Sequence, residues 1–322
     1  MYAYMAATEL KRHTLGKASA KSIFGAKTVF LLTCLLAVVL MVPRGALPQQ
    51  AEPKLLLGLI PEMNVFKQKE RFRPLGDYLA KKTGMEVQFT ILSRYGDIID
   101  RFTTANMDGA FFGSFTGALA IDKLGVEPLA RPVNLDNSST YHGHIFVRKD
   151  SGIRSVQDMK GKKIAFVDRA TTAGYIFPLA FLRENGVKDI KTFFSEYFFT
   201  GSHDAAIDAV LDKKADIGAV KHSMYDRMRK EDPRIDEEIL ILADSPPVPS
   251  NGLCVRKDLN AALKKRLKDA LLNLHAEPEG QAVLKQFGAI KFIETSKDDY
   301  QPVFEMLKKA GIDIKTYNYK NQ

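Results

Sequence analysis

Thr171-Thr172-Ala173-Gly174 is the stretch most suited to chemistry. These four small residues follow the apolar run Ile164-Ala165-Phe166-Val167 after a short turn, Asp168-Arg169-Ala170. The apolar run has the length and residue types of a buried strand, and the residues after Thr171 read as a helix through about Asn185. A strand feeding a helix through a short loop aims the free N–H groups of the helix's first turn into the crevice beyond the strand's carboxyl end. Small residues let an anion approach that backbone closely, and two threonine hydroxyls add donors. The pattern fits a seat for a small oxyanion. It also fits a threonine that merely caps its own helix, and the stretch alone leaves both readings open.

Other groupings carry less. Ser202-His203-Asp204 spells a catalytic triad, but consecutive residues on one helical turn point in different directions, whereas a working triad converges from separate segments. No G-x-S-x-G elbow accompanies it. His142 and His144 alternate on one strand face as a metal pair would, but no third ligand lies nearby in sequence, so no metal is expected. Gly113–Gly117 lacks the spacing of a dinucleotide fingerprint, and no cofactor is expected. Ser114 and Thr116 read as caps of the helix they open, with facing a ligand cleft as the alternative, and Asp77, Asp168 and Asp216 as structural acids at loops or caps. With no nucleophile–base pair, an enzyme is not expected.

The elements that must position these residues alternate along the chain. Leu55–Ile60 is a strand stopped by Pro61, Phe66–Thr83 an amphipathic helix closed by Gly84, and Glu86–Leu92 a second strand. Gly96–Ala105 is helical, Asp108–Phe112 a strand, and a helix runs on to about Leu124 before a strand at Val126–Pro132. After a polar loop at Asn134–Thr140, the pattern continues with strands at His142–Lys149, Phe193–Phe199, Ala215–Val220 and Ile239–Ala243. Helices lie between them at Ser202–Leu211 and His222–Lys230. Helices at Asp258–Leu274, Pro278–Phe287 and Lys297–Ala310 complete the chain. Such alternation predicts an α/β fold with mostly parallel sheets. His142–Lys149 and Gly252–Arg256 share a texture, each ending in Arg-Lys-Asp, and are candidate crossings between two lobes.

Residues 1–50 read as a secretory leader. Lys11, Arg12, Lys17, Lys21 and Lys27 precede an apolar run, Thr28–Val42, too short to favour a membrane span, with Ala46 and Ala51 as cleavage points. A retained anchor through 28–42 and a later start at Met5 are the alternatives. Leu31-Leu32-Thr33-Cys34 matches a lipoprotein box poorly. The leader carries six of the 47 basic residues and one of the 38 acids, so 41 basic and 37 acidic residues remain and the net charge falls from +9 to about +4. Interspersed signs without basic blocks argue against nucleic acid. Once Cys34 leaves with the leader, Cys254 has no partner for a disulfide, and stability must come from a core.

The runs LLLGLIPEMN, RFRPLGDYLAKKTGMEVQ, DGAFFGSFTGALA, YHGHIFVRKDSGIRSVQDMKGKKIAFVD, TTAGY and FTGSHDAAIDAVLDKKADIGAV resemble, in order, the solute-binding proteins of phosphonate, phosphite and phosphate ABC transporters. The resemblance covers nearly all of Lys54–Gln322. It implies a two-lobed, type II periplasmic-binding-protein fold with two crossover strands. The first lobe would be residues 52–145 plus 252–322 and the second 146–251. The family holds its oxyanion at a helix start reading Ser-Thr-Ser-Gly, which falls here on Thr171, Thr172, Ala173 and Gly174. Tyr95, Tyr141 and His203 match further ligand-binding positions. From the residues alone, both tyrosines read first as half-buried aromatics at strand ends. His203 sits at a positive helix end that disfavours its own protonation until an anion binds. Where relatives place acids for an aminoalkyl ligand's ammonium, this chain has Ser223, flanked by Lys221 and His222, and Asn251. No carboxylate is left for an ammonium, and Lys221 would repel it. The expected ligand is therefore phosphite, phosphate or methylphosphonate, bound by a periplasmic monomer that delivers it to an inner-membrane permease. The alternative is a sensor that reports the same ligand to a histidine kinase.

Overall fold

The computed structural model describes residues 54–321. The leader reading of residues 1–50, with its apolar run at 28–42, lies outside them. Among the described residues no helix is long and apolar enough to cross a membrane. The chain lays down β1 (Lys54–Leu59), β2 (Glu86–Ile91), β3 (Gly109–Phe112) and β4 (Glu127–Asn134), then crosses at β5 (Thr140–Tyr141). It builds β6 (Gly143–Arg148), β7 (Lys163–Phe166), β8 (Glu196–Phe199), β9 (Ile217–Lys221) and β10 (Ile239–Asp244), and returns at β11 (Val248–Pro249). It ends with β12 (Gly252–Val255), β13 (Ala289–Glu294) and a helix at Gln301–Ala310. The result is two lobes, one on a six-stranded sheet ordered β13-β4-β12-β3-β1-β2 and one on a five-stranded sheet ordered β10-β6-β9-β7-β8.

Both sheets are mixed, which corrects the expectation of mostly parallel ones. β1 runs parallel to β2 and β3, but β12 lies antiparallel between β3 and β4, and β13 antiparallel at the edge. In the second sheet β7 is parallel to β8 and β9, while β6 alone is reversed, lying antiparallel between β9 and β10. The reversed strands β6 and β12 are those that follow a crossing, so they enter their sheet from the end facing the other lobe. The crossings are also not the strands the sequence offered. β6 and β12 belong wholly to their sheets, and the chain crosses just before each, at β5 and β11, which pair as a short antiparallel ribbon. β13 escaped the sequence reading because its burial does not alternate, with only Ala289 and Phe292 fully buried. Ile190–Phe193 is a single helical turn capped by the Asp189 carboxylate, so the strand expected from Phe193 begins at Glu196.

Leu55, Leu57 and Leu59 alternate onto one face of the first sheet and bury against Phe72, Leu75 and Leu79 of the helix Val65–Thr83. The Asn64 side chain caps that helix at its start and Gly84, at φ 69°, closes it. Phe72 meets Phe111 and Phe287 edge-on at 5.3 and 5.2 Å, and burying each ring contributes about 1.5–3 kcal/mol. A second apolar cluster joins Phe112 and Phe115 of the first lobe to Phe146, Phe166 and Val220 of the second. With the sheets so held, the carboxyl ends of β1, β3, β7, β8 and β9 converge on one cleft, where open α/β sheets bind ligands.

Candidate functional site

β7 is followed by the loop Val167–Thr171 and then by one wide turn, Thr172–Ile176, in which N–H groups bond five residues back. That turn runs straight into the helix Phe177–Glu184, with Pro178 in its first turn where no N–H is needed. The Thr171 hydroxyl and N–H both donate to the Asp168 carbonyl, at 2.6 and 3.0 Å. Asp168 itself accepts from the Ala170 N–H at 2.8 Å and the Asn321 amide at 2.8 Å, which makes it a loop brace. Gly174 packs on Val167 so closely that a Cβ would lie 2.5 Å from the valine's own Cβ. Glycine is therefore required there by packing. The first-turn N–H groups from Thr172 onward have no acceptor within their helix, and Thr172 and Ala173 border a small cavity of about 20 Å³.

The opposite wall comes from the first lobe. β3 ends at Phe112 and the helix Ser114–Leu124 begins at once, so two helix starts face each other across the cleft. The Ser114 hydroxyl lies 2.6 Å from Thr172 Oγ1 and 2.5 Å from the Tyr141 hydroxyl. This chain links both lobes and the β5 crossing. Tyr95 also lines the cavity, and its hydroxyl is buried with no hydrogen-bond partner. Burial pushes the Tyr95 phenol well above its ordinary range and the Tyr141 phenol up to about 12, so both remain O–H donors.

His203 stands edge-on to Tyr95, ring centroids 6.1 Å apart. Its Nδ1 accepts the Lys221 backbone N–H at 3.3 Å, which leaves the ring proton on Nε2 as a donor. Burial drives its pKa down to about 4, with Lys221 adding to the fall and Glu62 opposing it. Glu62 is the residue the sequence reading missed. Burial raises its pKa, but the charges of Lys221 and Arg71 prevail and hold it at about 2. The Lys221 ammonium lies 3.0 Å from Glu62 Oε1 and 3.1 Å from the Asn251 side-chain oxygen, and Arg71 is 3.6 Å from Glu62 Oε2. Burial pushes Lys221 below the ordinary lysine range, against the pull of Glu62.

The structure therefore brings together Thr172, Ala173, Tyr95, Tyr141, His203 and Asn251 around one small cavity, with Thr171 and Gly174 shaping the turn. Ser223 is not among them. It lines an adjacent, larger groove of about 530 Å³, because it lies one residue into the helix His222–Met228 that leads away from β9. One carboxylate does border the cavity. Glu62 reaches the site from the other lobe but is already committed to Lys221 and Arg71. Ser114, read as a cap, donates no capping bond and faces the cleft. Its legible signal was its place at a strand-to-helix junction matching that of Thr172.

Comparison with known proteins bears on the family and the fold. The family model described as "ABC transporter, phosphonate, periplasmic substrate-binding protein" matches residues 57–300. The phosphonates-binding periplasmic protein of Escherichia coli is 25% identical over 265 residues, covering 80% of this chain and 77% of its own length. A probable ABC transporter phosphite-binding protein of Prochlorococcus marinus is 26% identical over 277 residues, covering 82% and 92%. In structure, a binding-protein component of an ABC phosphonate transporter from Pseudomonas aeruginosa superposes with a TM-score of 0.74 at 24% identity, over 80% of this chain and 87% of that one.

Proposed function

Because the chain belongs to the phosphonate-type periplasmic substrate-binding proteins of ABC transporters, we propose that its cleft receives a small, unsubstituted phosphorus oxyanion, such as phosphite, phosphate or methylphosphonate. The protein would pass this ligand, as a non-catalytic monomer, to a permease in the inner membrane. The observation that carries the reading is the small cavity of about 20 Å³ between two facing helix starts, lined by hydroxyl and N–H donors. That space exceeds a water's minimum only slightly, so a long substituent on phosphorus would require its walls to move. Glu62 is neutralised by Lys221 and Arg71 and offers nothing to a ligand ammonium. One named relative is described as phosphonates-binding and another as a probable phosphite-binding protein, which supports a ligand of the same class. They are named as transport components, which favours delivery over signalling.

In the loaded cleft, the Thr172, Tyr95 and Tyr141 hydroxyls, His203 Nε2–H and the N–H groups of Thr172 and Ala173 would donate to the anion. Each hydrogen bond to a charged group contributes about 1.5–3 kcal/mol. About six of them, less the cost of association, reach micromolar affinity or better. Neutral donors and the helix dipole accomplish this without a dedicated countercharge, which permits release. Calorimetry of the full-length chain against phosphite, phosphate, methylphosphonate and sulfate tests the reading. One phosphorus anion should bind, and Thr172→Val should weaken it by about tenfold to a hundredfold, the equivalent of one such bond. Undiminished binding in the variant would place the ligand elsewhere.

A further inference from the structure

The strands β6 and β10 bring a second constellation together, outside the cleft. His142 lies between β5 and β6, His144 is the second residue of β6, and Asp244 ends β10, paired in register with His144. The carboxylate the sequence could not supply thus arrives from a segment a hundred residues away. His144 Nδ1 is 2.5 Å from Asp244 Oδ1, His142 Nε2 is 4.0 Å from the same oxygen, and one ligand atom from each of the three lies within 4.8 Å of the others.

We propose that His142, His144 and Asp244 form a binding site for a first-row divalent transition ion of the Zn²⁺ type, at the base of the two crossings. Two imidazoles and one carboxylate are a donor set that suits Zn²⁺, Ni²⁺ or Cu²⁺ rather than Mg²⁺ or Ca²⁺, which demand oxygen. Ligands about 2.0–2.2 Å from a tetrahedral Zn²⁺ stand roughly 3.3 Å apart, between the 2.5 and 4.0 Å separations here. The adjustment falls on side chains free to make it, since Asp244 is 59% and His142 37% exposed, while His144, 9% exposed, is the fixed point. His144 is held edge-on by the Tyr225 ring at 5.3 Å, and His142 is stacked on His222 at 4.1 Å. His222 is not a ligand, because its Nδ1 accepts the His142 backbone N–H at 3.2 Å. On binding, the ring proton of His144 that faces Asp244 moves to Nε2, and the imidazole coordinates in its neutral form. The fourth position faces solvent and keeps a water.

The location gives the ion a consequence. His142 directly follows Tyr141 of β5, and Asp244 leads through Ser245 into β11. Ser245 already clips this region, donating its N–H to the Gly143 carbonyl at 2.9 Å and accepting from the Gly143 N–H at 2.8 Å. An ion there adds a tie between the two connections about which the lobes would move.

The test is calorimetric titration of the chelator-washed, full-length chain with ZnCl₂ and, separately, with MgCl₂. One Zn²⁺ should bind per chain with micromolar or tighter affinity, with no response to Mg²⁺. Asp244→Asn and His144→Gln should each weaken Zn²⁺ by at least about tenfold, while His275→Gln, far along the chain, should not. Asp244 is exposed, so its variant is expected to fold. Co²⁺ added to the parent chain should give the intense visible bands of a tetrahedral or five-coordinate site. Zn²⁺ binding weaker than about 1 mM, binding undiminished in either variant, or only the pale spectrum of hydrated Co²⁺ would overturn the assignment.

Discussion

Glu62 sets the electrostatics of the cleft, and its partner lies 159 residues away. That distance is why the sequence showed a repelling Lys221 but not the carboxylate that neutralises it. With a pKa held at about 2 in the fold against an ordinary 4.5, Glu62 contributes stability that is present above about pH 4.5 and lost as pH falls toward 2. Glu62→Gln should therefore destabilise the protein at pH 7 by about 3–5 kcal/mol, because Lys221 is left buried and uncompensated. The difference from the parent should shrink below pH 4, and denaturant melts across pH measure both. His203 behaves oppositely in charge. Its pKa of about 4 against an ordinary 6.5 means that protonation, and loss of the stability its neutral form contributes, comes as pH falls from 6.5 through 4. An anion beside Nε2 raises that pKa, so ligand binding should take up protons, more at pH 6 than at pH 8. Calorimetry in buffers of different ionisation enthalpy reads this directly, and identical heats in all buffers would show that the anion does not protonate His203.

At the scale of elements, the two strand-to-helix junctions line the candidate site, and both were legible as short apolar runs followed by small hydroxyl residues. The facing of the junctions was not legible, because it depends on how the two sheets meet. Nor was the wide turn at Thr172–Ile176, which a helical period does not distinguish from an ordinary first turn. Gly174 is where this turn presses on β7's extension at Val167. Gly174→Ala should force the turn outward, costing about 1–3 kcal/mol of stability and weakening anion binding more than Thr172→Val does, since the N–H groups of Thr172 and Ala173 move together. A thermal melt and a calorimetric titration check the two effects. A variant that melts lower but binds normally would show that the turn's position does not matter to the ligand.

Across the whole molecule, the carboxyl-terminal segment bridges the two lobes. Tyr319 donates to Asp100 of the first lobe at 3.1 Å, Tyr317 donates to the Arg169 carbonyl of the second at 3.1 Å, and Asn321 grips both Asp168 and the Arg169 N–H. Nothing in its composition announced this, because its partners lie some 150–220 residues earlier in the chain. Asn321→Ala should let the Asp168–Gly174 loop open more readily, raising amide exchange there by about tenfold, the equivalent of one hydrogen bond to a charged group. Unchanged exchange would mean that the tail merely rests on the surface. The central claim, that a tetrahedral anion is held between the helix starts at Thr172 and Ser114, is tested most directly by a crystal structure of the full-length chain grown with phosphite. The account predicts phosphorus density in that space, with oxygens in hydrogen-bond contact with Thr172 Oγ1, the Ala173 N–H and the Tyr95 hydroxyl. Density lodged elsewhere, with Thr172 still bonded to Ser114 and Tyr95 still without a partner, would contradict it.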